Sequence, residues 1–341
     1  MKIGIVGASG YSGGELLRLL LAHPNFEIEY IAAGSQAGAL ISSVHPQLVP
    51  LGLRRFEATE IVKMNTCDLL FFALPHGESA KFIPEVNSGI KIVDLGADFR
   101  LESASAWEKY YGGAHAGSWV YGLPEMPGQR GKISTATRVA NPGCYATAIS
   151  VASAPALFAG IIHGEDLVVV AASGTTGAGR KASSNLLASE IMGSLTSYKF
   201  GGVHQHTPEI EQTLTMVAGS QVRLSFTPIL APMPRGILAT ITAKLSREIS
   251  TRDAQKIFTD FYAEEEFVTV LSGDALPKTS AVLGSNSVQL QVVVDSHTQR
   301  LVVSSAIDNL GKGAASQAIQ NANLMFGLPE NSGLSAVGIG S

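Results

Sequence analysis

Cysteine is almost missing from this sequence. Cys67 and Cys144 are the only two in 341 residues. Two thiols do not make a disulfide framework, and such usage fits a reducing compartment. Charge is scarce as well: Asp, Glu, Lys and Arg make up 15% of the chain, and the net charge is −4. That balance offers no broad basic surface, so nucleic acid and an anionic membrane are not expected partners. No run of about 18 uncharged apolar residues occurs. The opening "MKIGIVGASG" reads as a strand and a turn, not as a signal segment. Repeats, charge blocks and low-complexity tracts are absent too. The expectation is a cytoplasmic chain with neither membrane nor nucleic-acid partner.

Apolar residues and glycine are plentiful instead, at 45% of the chain and 36 residues respectively. The length suits two domains. Glycines cluster between apolar runs, where backbone turns sharply or approaches a ligand.

The first third alternates apolar strands with helical segments. Strands are expected at 2–8, 26–34, 67–75 and 91–96, and helices at 13–23 and 78–89. Near-continuous apolar strands separated by helices predict a parallel sheet covered on both faces. After Cys144 the pattern changes. A helix of small residues with a Pro kink begins there, and a second helix spans 207–219. Strands at 165–173, 222–230, 236–245, 287–295 and 300–308 have short links that favour antiparallel or mixed pairing. A final helix covers 312–327, closed by Gly327. The fold class is therefore α/β: an N-terminal Rossmann-type doubly wound sheet, then an α+β domain with a mixed or antiparallel sheet.

"GASGYSGG" links the first strand to the first helix. The backbone along Gly7, Ser9, Gly10, Tyr11, Ser12 and Gly13, together with the helix N-terminus, suits a pyrophosphate. For NAD, an acid that reads the ribose is expected about 20 residues on. The second strand ends instead in "AAGSQAG", with no acid. Ser35 and Gln36 do not repel a 2′-phosphate, which favours NADP.

Cys144 lies in "NPGCYAT" at the start of a helix. Unpaired N–H groups and the positive end of the helix dipole there favour a thiolate. Gly143 clears the approach, and Asn141 offers an amide beside it for a substrate. A nucleophile is the expectation for Cys144, and a buried small hydrophobe for Cys67. "GGVHQHTPEIEQ" supplies His204 and His206 as acid/base candidates, with the choice between them open. Glu209 is placed to orient a histidine, Thr207 to cap the helix, and Pro208 to fill its first position. No Cys/Asp cluster of ligand spacing accompanies the histidines, so no metal is expected. Two loops carry cations for a phosphate or carboxylate: "SGTTGAGRK", with Arg180, and "APMPRG", with Arg235. Ser173 and Gly174 in the first loop are assigned to the cofactor. So are Asn309, Lys312 and Gly313 of "DNLGKGAA", at the start of the last helix.

These motifs, with "LGADFRL" and "YGLPE", occur in an order that resembles the N-acetyl-gamma-glutamyl-phosphate reductase family, from residue 2 to about 327. The resemblance implies a semialdehyde-dehydrogenase type of fold, with 1–143 plus 312–341 binding NADP and 144–311 carrying catalysis and subunit pairing, in a dimer or tetramer. It implies an acyl-phosphate substrate and NADPH, with Cys144 as nucleophile, a thioester intermediate, and Tyr198 lining the substrate pocket. A reductase for the one-carbon-longer aminoadipyl phosphate is a close rival. Aspartate-semialdehyde dehydrogenase shares the plan but is not expected to carry "GCYAT" or "HTPEIEQ". A cysteine acyltransferase or hydrolase is disfavoured by the cofactor fold, and a non-enzymatic NADP sensor by the thiol and histidines.

Overall fold

The computed structural model describes residues 1–340. By backbone contacts the chain divides into two units. One comprises Met1–Pro124, Gly128–Pro142 and Ala314–Leu334, the other Glu125–Pro127, Gly143–Gly313 and the residues from Ser335.

Six parallel strands build the first unit: β1 (Lys2–Val6), β2 (Glu27–Ala32), β3 (Leu69–Phe72), β4 (Lys91–Asp94), β5 (Val120–Tyr121) and β6 (Arg138–Ala140), in the order β2-β1-β3-β4-β6-β5. The chain winds outward from β1 in both directions, the doubly wound arrangement expected from the alternating pattern. Helices Tyr11–Leu20 and Ser316–Met325 cover one face, where Leu16, Leu20, Ile319 and Ala322 meet Ile5, Phe71 and Val93. The expected helix over 78–89 is instead two 3₁₀ turns, Ser79–Lys81 and Ile83–Glu85. Pro84 has no N–H to extend an α-helix. Asp98 also draws the Gly77 and Ala80 amides to its carboxylate, at 2.6 and 3.0 Å. The short strands β5 and β6 carried no readable pattern.

The second unit holds a seven-stranded mixed sheet: β7 (Leu167–Ser173), β8 (Thr196–Ser197), β9 (Leu224–Leu230), β10 (Ile237–Lys244), β11 (Val268–Val270), β12 (Val288–Asp295) and β13 (Arg300–Ile307), in the order β11-β12-β13-β10-β7-β9-β8. Pairs β7–β9 and β11–β12 are parallel, the others antiparallel. Helix Cys144–Phe158 packs on one face of this sheet and is buried from Tyr145 to Leu157. A helix buried on nearly every side needs small uncharged residues, and its alanines supply them. Pro155 removes the amide that would have served the Val151 carbonyl, and the Tyr262 hydroxyl donates to that carbonyl instead at 2.6 Å. A further helix of the unit, Thr251–Phe261, was not foreseen.

The expected boundary differs near residue 312. Lys312 and Gly313 belong to the second unit because their partners are Glu125 and Cys144. The tail also joins it, through the Ser335 carbonyl and the Asn286 amide (2.9 Å) and the Ile339 amide and the Leu283 carbonyl (2.8 Å).

Candidate active site

In the first unit the strand–helix turn carries the expected nucleotide features. Gly7 has φ 89, and a side chain there would meet the Ala73 carbonyl oxygen at 2.4 Å. Gly13 lies flat on the turn, where a Cβ would stand 2.6 Å from the Ala8 Cα. Gly10 is the N-cap and has no side chain to occupy the helix start, and the first turn contains no acid. Tyr11, Ser12 and Gly13 form that first turn, whose amides have no partner within the helix. This cradle fits the pyrophosphate of a dinucleotide. Ser35 lies exposed on the turn after β2. Asn141, expected at the substrate, is completely buried, and its side chain is used internally. It donates to the Ala314 carbonyl at 3.1 Å and accepts from Asn321 at 3.0 Å.

Cys144 opens the Cys144–Phe158 helix with its thiol half-buried. Gly143 is the N-cap, and its N–H donates to Glu209 Oε1 at 2.8 Å. Glu209 is fully buried in the first turn of helix Thr207–Ala218, so it ties one helix start to the other. Glu209 is expected to orient a histidine, and through this bond it also braces the backbone just before Cys144. His206, not Thr207, takes the N-cap position, and Pro208 is the second helical residue. The Thr207 hydroxyl is buried without a hydrogen-bond partner among the described residues. From the far end of the unit's sequence, Gly313 is pressed against the thiol-bearing residue. A Cβ on Gly313 would lie 2.7 Å from Cys144 Cβ. That glycine was expected to serve the cofactor; its backbone instead makes room for Cys144.

Tyr145, the residue after the thiol, belongs to an aromatic cluster that the sequence did not reveal. Tyr145 is buried, and its ring meets His204, His206 and Phe226 edge to face, with centroids 5.4, 6.0 and 5.1 Å apart. The two histidine rings are 5.0 Å apart. Tyr198 donates its hydroxyl to the Tyr145 hydroxyl at 3.1 Å and rests on His204. Burial pushes the Tyr198 phenol up to about 12, and a charge on Cys144 adds to the rise. His204 accepts the His206 backbone N–H on Nδ1 at 3.1 Å. Burial, then the positive neighbours His206 and Lys199, hold it down to about 3. It is therefore neutral at physiological pH, with its proton on Nε2. Cys67 differs in every respect: it is buried beside β3, and burial pushes its thiol up to about 11.

The cation and amide loops brace one another. Arg235 forks onto Asp308, Nε to Oδ1 at 3.0 Å and Nη2 to Oδ2 at 2.6 Å, and Asp308 also accepts the Gly284 and Leu310 amides. Asn309 accepts the Gly236 amide and donates to Thr176. Ser173 is buried with its hydroxyl on the Gly174 carbonyl, and Gly174 lies against the Pro234–Arg235 backbone. Lys312 is fully buried on Glu125. Arg235, Asn309, Ser173 and Lys312 thus each hold a loop through these bonds. Arg180 is exposed just after the Thr175–Ala178 turn. Among the described residues, no group of three or more His, Cys, Asp or Glu side chains is arranged to hold a metal, and no helix is long and apolar enough to cross a membrane.

Comparison with known proteins gives a consistent picture. The family model "Semialdehyde dehydrogenase, NAD binding domain" matches residues 2–135, and "Semialdehyde dehydrogenase, dimerisation domain" matches residues 144–309. The chain is 53% identical over 338 residues to N-acetyl-gamma-glutamyl-phosphate reductase of Acidothermus cellulolyticus, covering 99% of this chain and 98% of that protein. To the enzyme of the same name from Salinispora arenicola it is 54% identical over 339 residues, covering 99% of each. Among solved structures it resembles aspartate semialdehyde dehydrogenase II of Vibrio cholerae complexed with ASA, with a TM-score of 0.72 at 16% identity, covering 95% of this chain and 98% of that one. It also resembles the Candida albicans aspartate semialdehyde dehydrogenase with NADP, with a TM-score of 0.67 at 16% identity, covering 95% and 98%. At such identities the structural likeness concerns the fold alone.

Proposed function

The chain belongs to the semialdehyde dehydrogenase family, and from that premise we propose that it reduces N-acetyl-gamma-glutamyl phosphate to N-acetyl-glutamate semialdehyde with release of phosphate, a step of arginine biosynthesis. The relatives' names support the substrate. The observation that carries the chemistry is a half-buried thiol at a helix start, with the backbone before it braced by Glu209 and with two tyrosines that feel its charge and pack against the histidine pair.

Cys144 attacks the acyl carbon, the carbon–oxygen bond to phosphate breaks, and a thioester forms. Backbone N–H groups at the helix start stabilise the negative charge that develops on the carbonyl oxygen. The turn from Gly7 to Gly13 would hold the dinucleotide, and a bound reduced nicotinamide would supply the hydride that reduces the thioester. His206 gives a proton to the oxyanion of the reduced thioester and takes it back as the carbon–sulfur bond of the hemithioacetal breaks, which returns the Cys144 thiolate and releases the aldehyde. His204 accepts the His206 backbone N–H and stays neutral, so it positions its neighbour. Tyr198 lines the substrate pocket, and exposed Arg180 serves an anionic group of the substrate. NADP is the cofactor preferred, and the reducing cytoplasm suits a thiol nucleophile.

The decisive experiment measures phosphate-dependent NADP reduction with N-acetylglutamate semialdehyde, its one-carbon-longer homologue and the unacetylated compound. The first is expected to give the highest kcat/KM. Preference for the longer substrate would move the enzyme to the aminoadipyl step, and turnover independent of phosphate would refute the acyl-phosphate reading. His206→Asn is expected to lower kcat by about 10²–10⁴ and His204→Asn by less. Steady-state rates in the reverse order would exchange their roles.

Subunit pairing is assigned to the outer face of the second sheet. Side chains alternate along β7 and β10, and the helix-free face presents Val168, Val170, Leu238 and Val293 at 37–42% exposure. An exposed sheet face on which these apolar side chains alternate with uncharged Thr240, Thr242, Ser225 and Thr227 suits a second copy of the chain. Val170→Glu is expected to shift the protein to monomer in light scattering with the fold retained. An unchanged mass would place the interface elsewhere.

A further inference from the structure

We propose that Arg55 reads the adenosine 2′-phosphate of the cofactor and so determines the choice of NADP over NAD. The inference rests on the NADP reading above and names the residue that would enforce it.

In a doubly wound sheet, the turn after the second strand is where the adenosine ribose is read. Here that turn runs from Ala33 to Leu40 and contains no Asp or Glu. It also contains no arginine, so sequence spacing leaves a 2′-phosphate with only Ser35 and Gln36. Folding supplies the missing cation from beyond the turn. Residues 38–41 pair with 54–57: the Gly38 amide donates to Phe56 O at 2.8 Å, the Phe56 amide to Ala39 O at 3.0 Å, and the Ile41 amide to Arg54 O at 3.1 Å. The same segment continues along the β2 edge, where the Glu57 amide donates to Ile31 O and its carbonyl accepts from Ala33.

This pairing separates two adjacent arginines. Arg54 turns down the strand and donates to the Ile28 and Glu29 carbonyls. Arg55 is exposed and lies on the turn itself, with Nη1 donating to Gly38 O at 2.7 Å. That bond fixes the guanidinium at the turn and leaves the other N–H donors of its fork for a ligand. No carboxylate ion-pairs with Arg55 among the described residues. The nearest acid along its segment, Glu57, lies 3.7 Å from Lys63 Nζ, which offsets its charge. A planar fork without a counter-ion, bonded to the same turn that carries Ser35 and Gln36, matches a phosphate monoester. A ribose diol carries no charge for it to meet.

Equilibrium titration calorimetry with 2′,5′-ADP, 5′-AMP, NADPH and NADH tests this without turnover. The intact protein is expected to bind 2′,5′-ADP at least about tenfold more tightly than 5′-AMP. Arg55→Ala is expected to weaken 2′,5′-ADP and NADPH by about tenfold or more. The same variant should leave 5′-AMP and NADH within about twofold, with an unchanged melting temperature. Arg55→Lys should recover part of the loss. If Arg55→Ala binds 2′,5′-ADP as the parent does, another group reads the phosphate and the inference fails while the NADP reading stands. If 2′,5′-ADP and 5′-AMP weaken together, Arg55 only braces the turn, and the inference fails equally. If the parent protein itself shows no preference for 2′,5′-ADP, the NADP reading falls.

Discussion

Replacing Cys144 by serine is expected to lower phosphate-dependent turnover by a factor on the order of 10⁴ or more while leaving nicotinamide cofactor binding as it was. A hydroxyl in the same place is not ionised near neutral pH, and the helix start that favours a thiolate cannot change that. The same logic predicts the alkylation pattern. Near pH 8, iodoacetamide should consume one thiol per chain in step with activity, because Cys67 is buried and its thiol is pushed up to about 11. Mass spectrometry of the alkylated peptides distinguishes the two sites. Full turnover in Cys144→Ser, or activity lost through Cys67 alone, would end the nucleophile assignment.

Lys312→Met is expected to cost about 3–5 kcal/mol of stability, read as a lower urea midpoint. Both partners of the Lys312–Glu125 pair are almost wholly buried, at 0% and 1% side-chain exposure, and the ammonium also lies 5.7 Å from the Phe267 ring centroid. Removing the cation alone leaves a carboxylate in a place without water. Removing both charges is much less costly, so Glu125→Leu with Lys312→Met should regain most of the loss. The experiment also separates two roles for this lysine. A cofactor ligand would lose nucleotide affinity with stability unchanged; a buried pair loses stability first.

The motifs that were legible along the chain share one property: their meaning is local. The glycines of the strand–helix turn answer to a carbonyl and an α-carbon within one structural unit of β1, and the spacing of apolar residues shows the strands around them. Cys144 at a helix start is visible because the helix pattern begins there. Gly219, with φ 65, closes its helix as the sequence indicates. Where local rules competed, the reading went astray. Residues 78–89 have helical composition, but Pro84 and the carboxylate of Asp98 favour tight turns.

Several polar side chains find their partners far away along the chain. Arg235, Asn309 and Lys312 look like anion binders in loops that carry glycine and proline. The structure gives the first a buried Asp308, the second the Gly236 amide and Thr176, and the third Glu125. Such polar groups must be satisfied once water is removed from them, and nothing in the spacing of a sequence says which partner will do it.

From residues alone came the doubly wound first sheet, the mixed second one, the glycine turn after β1 and the placing of Cys144 at a helix start, since each depends on backbone periodicity or on a residue's immediate neighbours. Only the tertiary structure decided that Gly313 makes room for Cys144, that Glu209 braces the Gly143 amide before it, that Tyr198 bonds to Tyr145, and that Arg55 stands at the turn after β2. These are close approaches between segments far apart in the chain, and close packing, not spacing along the chain, sets them.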